Sequence, residues 1–274
     1  MMVSRLIGPA RACPYCGEKS ALELLGRKKL LMDVLRCGKC SLMFRYPVDS
    51  ASDNFAYYQD EYRVAKVTEL PDEETLRNGM HGEAEFASKI DALKALKSSG
   101  RVLDFGCSWG YALRRLLDQG FNAVGFEISK TRAAFGRDKL GLQIYDSIAE
   151  LSESGDRSFD MVFVNHVLEH LPEPKQTLKL LSRIVADDGL LFIVGPNFTG
   201  AKARSGLFWS WIGQDHPIAP TGDFLRGALK ECGFGRVACG SGPFDRNLIE
   251  RLRKREFESL DRDDEELLVI AWRN

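Results

Sequence analysis

The sequence predicts an α/β protein built on an open, mostly parallel sheet, with a small cysteine-rich module ahead of it. Three observations carry this expectation. From Arg101 onward, short apolar runs alternate with helix-length amphipathic stretches, the pattern of a parallel sheet covered by helices on both faces. A glycine-bearing loop, Gly106 to Gly110, follows the first of those runs, and such sheets bind ligands beyond the carboxyl ends of their strands. Near the amino terminus, Cys13-x-x-Cys16 and Cys37-x-x-Cys40 form two closely spaced pairs.

The chain has 274 residues, room for one large domain and a small accessory module. We place the module at residues 1–50, a helical lid or connector at 51–99 and the main domain at 100–274. In the connector, Phe86, Ile90, Leu93 and Leu96 recur at helical spacing, so Ala84–Leu96 is expected to lay one face on a core. Ser98-Ser99-Gly100 ends that helix. Strands are expected at Val102–Phe105, Ala123–Phe126, Leu142–Tyr145, Phe159–Val164, Leu190–Val194, Arg236–Cys239 and Leu267–Ala271. Helices are expected up to Leu117 and over Ser129–Lys139, Gln176–Val185 and Phe224–Cys232. Asp187-Asp188-Gly189 reads as a turn into the fifth strand. The charged stretch Leu248–Leu260 reads as a helix whose basic run, Arg251–Arg255, faces solvent.

Lys plus Arg number 38 and Asp plus Glu 39. A protein that binds nucleic acid through its phosphates usually shows a basic excess, so this balance argues against a nucleic-acid partner. No run approaches the roughly 20 apolar residues of a membrane span. Residues 1–12 lack the apolar core of a secretory signal. The expectation is a cytoplasmic protein with no membrane partner.

Seven cysteines, an odd number with clustered pairs, argue against a secreted disulfide framework. Cys107, Cys232 and Cys239 read as small buried apolar residues. Cys13, Cys16, Cys37 and Cys40 together supply four thiolates for one structural Zn²⁺, with no position left open for catalysis. A redox-active CxxC is the competing reading, but it needs only one pair.

Val102-Leu103-Asp104-Phe105-Gly106-Cys107-Ser108-Trp109-Gly110 runs from a strand into a helix, and Glu127 ends the next strand. An acid there can accept hydrogen bonds from both hydroxyls of a ribose. A dinucleotide GxGxxG would need glycine at 108 and 111, where Ser108 and Tyr111 stand. The same loop is also literally G-x-S-x-G, the pattern of a hydrolase nucleophile elbow, with His170 and His216 downstream. Such elbows follow several strands, whereas a cysteine module and helices precede this one.

Val102–Gly110 resembles the first motif of the class I S-adenosylmethionine (SAM)-dependent methyltransferases, hh-D-h-G-C-G-x-G, with Ser108 in place of the middle glycine. Phe159–Val164 resembles their fourth strand, Asn165–Pro174 their LEHL-x-x-P signature, and Gly189–Pro196 their fifth strand and its turn. The resemblance covers about residues 100 to 240. It implies a Rossmann-like class I methyltransferase sheet, mostly parallel with an antiparallel last strand. It also implies SAM as cofactor. Asp104 and Gly106 would flank the methionine part, Glu127 would hold the ribose, and Asp146 and Ile148 would meet the adenine. Cys107, Ser108, Gly110, Ile128, Ser147, Asn165 and His166 complete the implied cofactor set.

The cysteine module resembles a zinc-ribbon-like piece that heads a subset of small-molecule methyltransferases, of which the deoxysugar C-methyltransferases are best known. Phe44-Arg-Tyr-Pro47 and Tyr57-Tyr58-x3-Tyr62 fit that pattern. In those enzymes the last residue of a His-Glu-His segment is a proposed base. Asp215-His216 matches its final two positions, so His216 is expected as a base or acceptor-binding residue. Gly213 departs from a tyrosine there, and Ile218 and Ala219 depart from aromatics. His166 is a second candidate for proton transfer, His170 resembles a loop-capping residue, and His81 carries no assignment. Tyr57, Tyr58, Tyr62 and Trp209 or Trp211 are expected to wall the acceptor pocket. The implied reaction is methyl transfer to a small-molecule acceptor, such as a nucleotide-linked sugar or a glycan or natural-product intermediate. Two alternatives are an rRNA or tRNA methyltransferase with a zinc knuckle and a non-catalytic SAM-binding protein.

Overall fold

One CxxC pair sits in a turn ahead of a small antiparallel meander, and the other at the turn between its second and third strands. Its strands are β1 (Leu22–Lys28), β2 (Met32–Cys37) and β3 (Met43–Tyr46). The computed structural model describes residues 11–28, 32–61, 83–201, 203–204, 211–213, 215–257, 260 and 263–273. Tyr62, His81, Trp209 and Gln214 lie outside them. Beyond β3 come α1 (Ala51–Ala56), a π-helical turn at Tyr57–Glu61 and α2 (Glu83–Leu96). Ser50 caps α1 by accepting the Asp53 N–H at 3.1 Å. In α2, Ile90 and Leu93 are fully buried, as their spacing predicts.

The main sheet holds β4 (Arg101–Phe105), β5 (Asn122–Phe126), β6 (Ile144–Tyr145), β7 (Phe159–Asn165) and β8 (Val185–Pro196), together with β10 (Arg236–Ser241) and β11 (Glu266–Trp272). Its order is β10-β11-β8-β7-β4-β5-β6. The five strands from β4 to β8 are parallel, and β11 runs antiparallel between β8 and β10. This is the Rossmann-like methyltransferase sheet that the sequence implies.

Strand periodicity divides the core in two. Leu103, Phe105, Val162, Val164 and Leu191 belong to one apolar layer. Val102, Met161, Phe163, Leu190 and Phe192 belong to the other. Helices α3 (Tyr111–Asp118), α4 (Lys130–Leu140), α5 (Ile148–Glu153), α6 (Pro174–Ile184), α7 (Gly222–Glu231) and α8 (Arg246–Arg253) connect the strands. Pro174 opens α6, where a missing N–H costs nothing. Thr221 caps α7 through the Phe224 N–H.

Several boundaries move for identifiable reasons. The third parallel strand is only two residues long, because Leu142 is spent ending α4. Its N–H bonds to Gly136 O at 3.1 Å, after Gly141 turns left-handed at φ +66°. Asp187–Gly189 is no turn: β8 runs through it, with a register irregularity opposite Phe159–Met161. Helix α8 stops at Arg253, and Phe257 packs on Trp272 at 4.6 Å instead of continuing it.

Ile218–Ala219 is not expected as a strand, yet these residues form β9 and pair with Phe44 and Met43 of β3. The cysteine module's sheet therefore runs β1-β2-β3-β9. Leu35, Phe44 and Ile218 are buried in the same apolar layer as the main sheet's Leu103 and Leu191. None of the seven cysteines is in a disulfide; Cys107 and Cys239 are buried as expected, whereas Cys232 is only half-buried. Among the described residues, no helix is long and apolar enough to cross a membrane.

Candidate functional site: a glycine loop and a histidine cluster at the carboxyl edge of the sheet

Where β4 ends, Gly106, Ser108 and Gly110 take φ of +84°, +51° and +92°, a run that L side chains rarely adopt. A β-carbon on Gly106 would lie 2.4 Å from Val167 Cγ2. The N–H groups of Gly106 and Cys107 both donate to Phe126 O, at 2.8 and 3.0 Å, which ties the loop to the end of β5. The next residue is Glu127, 7% exposed. Its carboxylate accepts the Ser108 N–H at 2.9 Å and the Ser129 N–H at 2.8 Å. Burial raises the Glu127 pKa, against the pull of those N–H groups and of Arg132. Arg132 Nη1 also donates to Ser108 Oγ at 3.0 Å. Ser108 therefore faces an arginine where a nucleophile elbow would need a histidine.

Asp104 is 2% exposed. Burial and the nearby Glu127 charge push its pKa up to about 7. Asp104 Oδ2 and Asn165 Oδ1 are buried acceptor atoms without a hydrogen-bond partner, a costly state that a ligand's donors would relieve. Beyond β6, Arg137 holds Asp146 at 3.0 Å and Ser147 caps α5. Ile148 is left 46% exposed, one of few large apolar side chains in that state. A backbone cradle, unfilled acceptors, a buried acid and an exposed apolar side chain fit the amine, ribose and adenine of SAM.

A second group of side chains follows β7. His166, at φ +53°, lies 2.7 Å from Glu266 and 3.4 Å from Glu169 Oε1. Burial disfavours its charge, but the two carboxylates outweigh that and raise its pKa to about 9. At 3.4 Å the Glu169 contact is an ion pair, and Glu169 Oε1 takes no hydrogen bond. Lys89, 1% exposed, reaches Glu266 at 2.6 Å. His170 and His216 have ring centroids 4.6 Å apart. Burial, followed by the proximity of His170, lowers the His216 pKa. A cavity of about 520 Å³ adjoins this group, lined by His166, Lys89, Glu266, Trp211 and Phe244.

The chain ahead of the sheet ties both halves of the site together. Asn54 Nδ2 donates to His170 O at 2.9 Å, and the Tyr57 hydroxyl donates to Asp215. Tyr58 meets His170 edge-on at 6.2 Å. Gln59 Nε2 donates to Ile128 O at 2.7 Å, and its Oε1 accepts the Lys130 N–H at 3.3 Å. Asn54, Gln59, Lys89 and Glu266 escape sequence reasoning. A signal existed for Lys89, which lies on the same helix face as Phe86 and Leu93, a charge within an apolar stripe.

In the amino-terminal module, Cys13 and Cys40 Sγ are 3.5 Å apart, as are Cys16 and Cys37 Sγ. All four sulfurs lie within 4.8 Å of one another. Thiolates around tetrahedral Zn²⁺ sit about 3.8 Å apart, so this donor set fits the ion.

A family model described as "Methyltransferase domain" matches residues 79–238. The chain belongs to this methyltransferase family. It is 33% identical over 101 residues to the "Ubiquinone biosynthesis O-methyltransferase" of Dechloromonas aromatica, covering 34% of this chain and 43% of that protein. It is 29% identical over 155 residues to the "tRNA U34 carboxymethyltransferase" of Helicobacter acinonychis, covering 49% of this chain and 55% of that protein. The chain thus spans about half the length of these curated relatives. Among solved structures, a SAM-dependent methyltransferase from Archaeoglobus fulgidus superposes with a TM-score of 0.54 at 19% identity, over 73% of this chain and all of that one. The glycine loop lies within the residues that the methyltransferase-domain family model matches, on a fold shared with these structures.

Proposed function

We propose that the chain transfers a methyl group from SAM to a small-molecule acceptor. The observation that carries this reading is the joint placement of the Gly106–Gly110 cradle, Glu127 and the unfilled Asp104 and Asn165 oxygens at one edge of the sheet. Bound SAM supplies a methyl already activated by the positive sulfonium. The chain has then to position the reactants, which lowers the barrier by several kcal/mol. Asp104, Gly106, Cys107, Ser108, Gly110 and Asn165 would hold the methionine end. Glu127 and Ile128 would hold the ribose, with Asp146, Ser147 and Ile148 at the adenine.

The acceptor enters beside His166 and Trp211, under Tyr57 and Tyr58. His166 is kept as a cation between two carboxylates, which suits it to bind an anionic acceptor group rather than to take a proton. His216 is the residue that activates the acceptor. Residues 1–50 act as a zinc-stabilised module on Cys13, Cys16, Cys37 and Cys40, 51–99 as a lid and 100–274 as the transferase domain. An odd number of cysteines, four of them in two clustered pairs, suits a reducing, cytoplasmic setting better than a secreted one. Balanced charge favours a small acceptor over tRNA, and Gly213 makes sugar C-methylation only one of the chemistries to test.

Isothermal titration with SAM, followed by transfer of labelled methyl into sugar nucleotides, hydroxylated aromatics and bulk tRNA, tests the reading. SAM binding with label entering a small molecule is the expected outcome. Absence of SAM binding removes the proposal, and label entering only tRNA replaces the acceptor class.

A further inference from the structure

We infer that Glu169, His170 and His216 form a binding site for a first-row divalent metal ion on the acceptor side. One potential ligand atom from each residue lies within 4.8 Å of the other two. Ligand atoms around a bound ion of this type are about 3.3 Å apart, so the loops need only a small contraction.

Backbone carbonyls fix the tautomer of both imidazoles. His170 Nδ1 lies 2.8 Å from Asp215 O, and His216 Nδ1 lies 2.6 Å from Trp211 O. A carbonyl oxygen only accepts, so both Nδ1 atoms carry the proton. Each neutral ring then keeps its lone pair on Nε2. Metal-binding histidines are characteristically fixed in this way, with the other ring nitrogen donating to a carbonyl or carboxylate.

Glu169 gives the independent observation. It is 2% exposed, and its Oε1 is buried without a hydrogen bond. Its His166 neighbour, 3.4 Å away, is itself shared with Glu266 at 2.7 Å. A buried carboxylate oxygen left without a hydrogen bond is costly, and a cation held jointly with two imidazoles would relieve that cost. Its donors come from two separate segments, the turn after β7 and the loop before β9. Asn54 and Tyr57 secure both segments from above.

Two nitrogens and one carboxylate suit Zn²⁺, Mn²⁺, Fe²⁺ or Co²⁺ and leave coordination positions open. The four-thiolate cluster leaves none. This inference deepens the methyl-transfer reading and takes its purpose from it: the ion is how His216 activates the acceptor. An acceptor hydroxyl on the open position loses its proton to solvent more readily. Its oxygen then attacks the methyl carbon. The C–S bond breaks with its electron pair going to sulfur, and the sulfonium becomes a neutral thioether.

Titration of the full chain with Mn²⁺, followed by electron paramagnetic resonance, tests the site, because a hard ion avoids the thiolate cluster. Wild-type protein is expected to take up a single equivalent. The double variant His170→Ala/His216→Ala should lose that binding, and Glu169→Gln should weaken it by roughly ten-fold or more. Retained SAM affinity and retained zinc in the cysteine module show that the variants are folded. Wild-type protein that binds neither Mn²⁺ nor Zn²⁺ beyond the cysteine module overturns the site, and so does equal binding by folded variants. Failure of SAM to bind wild-type protein would instead overturn the methyl-transfer reading and leave the metal result standing.

Discussion

Ser108 donates its backbone N–H to the Glu127 carboxylate at 2.9 Å, so the acid that ends one strand also fixes the loop that ends its neighbour. Glu127→Gln keeps the size and removes one acceptor. Its amide N–H₂ must then face a backbone N–H of Ser108 or Ser129. Hydrogen bonds to charged groups contribute about 1.5–3 kcal/mol, so SAM affinity should fall about ten-fold to a hundred-fold. Isothermal titration measures this directly, and an unchanged affinity would take Glu127 out of the ribose site.

Gly106→Ala combines two penalties. A β-carbon in the left-handed region costs about 1–2 kcal/mol. Overpacking against Val167, 2.4 Å away, adds about 1–3 kcal/mol. The melting temperature should drop by about 5 °C or more. Adding Val167→Ala should recover part of that loss by removing the clash but not the backbone strain. If the second substitution recovers nothing, the Val167 contact is not the cause.

The buried Asp104 would give the proposed cofactor site its pH dependence. Its folded pKa of about 7 lies above its ordinary value of 3.8. Between those values the folded state binds more protons than the unfolded chain, so Asp104 makes SAM-free stability fall as pH rises toward 7. Glu127 shifts in the same direction. SAM brings an ammonium group that favours ionised Asp104, so its affinity should rise over the same interval. Asp104→Asn should flatten both profiles, and thermal melts with SAM titrations across pH 5–8 would show it.

Lys89 and Glu266 form a pair that is worse broken than deleted. Glu266→Gln leaves the Lys89 ammonium buried with its carboxylate gone, a loss of about 3–5 kcal/mol in such sites. Replacing both, as Lys89→Met/Glu266→Leu, should cost less than Glu266→Gln alone. Urea unfolding of the three proteins decides the order.

In the cysteine module, Cys37→Ser should weaken the thiolate-to-metal absorption of Co²⁺-substituted protein by about a quarter or more. It should also lower the unfolding midpoint. SAM affinity should change little, since the cradle lies on the main sheet. Cobalt absorption of unchanged intensity in Cys37→Ser would sink the four-thiolate cluster.

The parallel strands and the glycine loop could be read from the sequence because both rest on local rules. Apolar runs of strand length and a Gly-x-x-x-Gly turn signal themselves over a few residues. What escaped reading is non-local. Gln59 reaches Ile128 and Lys130, yet a glutamine in a helical segment carries no signature of a partner so far along the chain. Ile218–Ala219 is too short a run to declare itself a strand, and only the exposed edge of β3 makes it one. Glu169 and His170 were visible as part of a signature. Their grouping with His216 depends on a loop whose path local sequence does not fix.

The pairing of β9 with β3 sets an order of events during synthesis. Met43 and Phe44 are long out of the ribosome before Ile218 and Ala219 are made. Until then the nascent module presents an unpatched strand edge, with Phe44 uncovered, to whatever else is nearby. Zinc captured early by the four cysteines would hold that edge in shape during the wait. A chain stopped before Ile218 keeps every cysteine ligand and still lacks the strand that closes the module, so its weakness would be aggregation rather than metal loss.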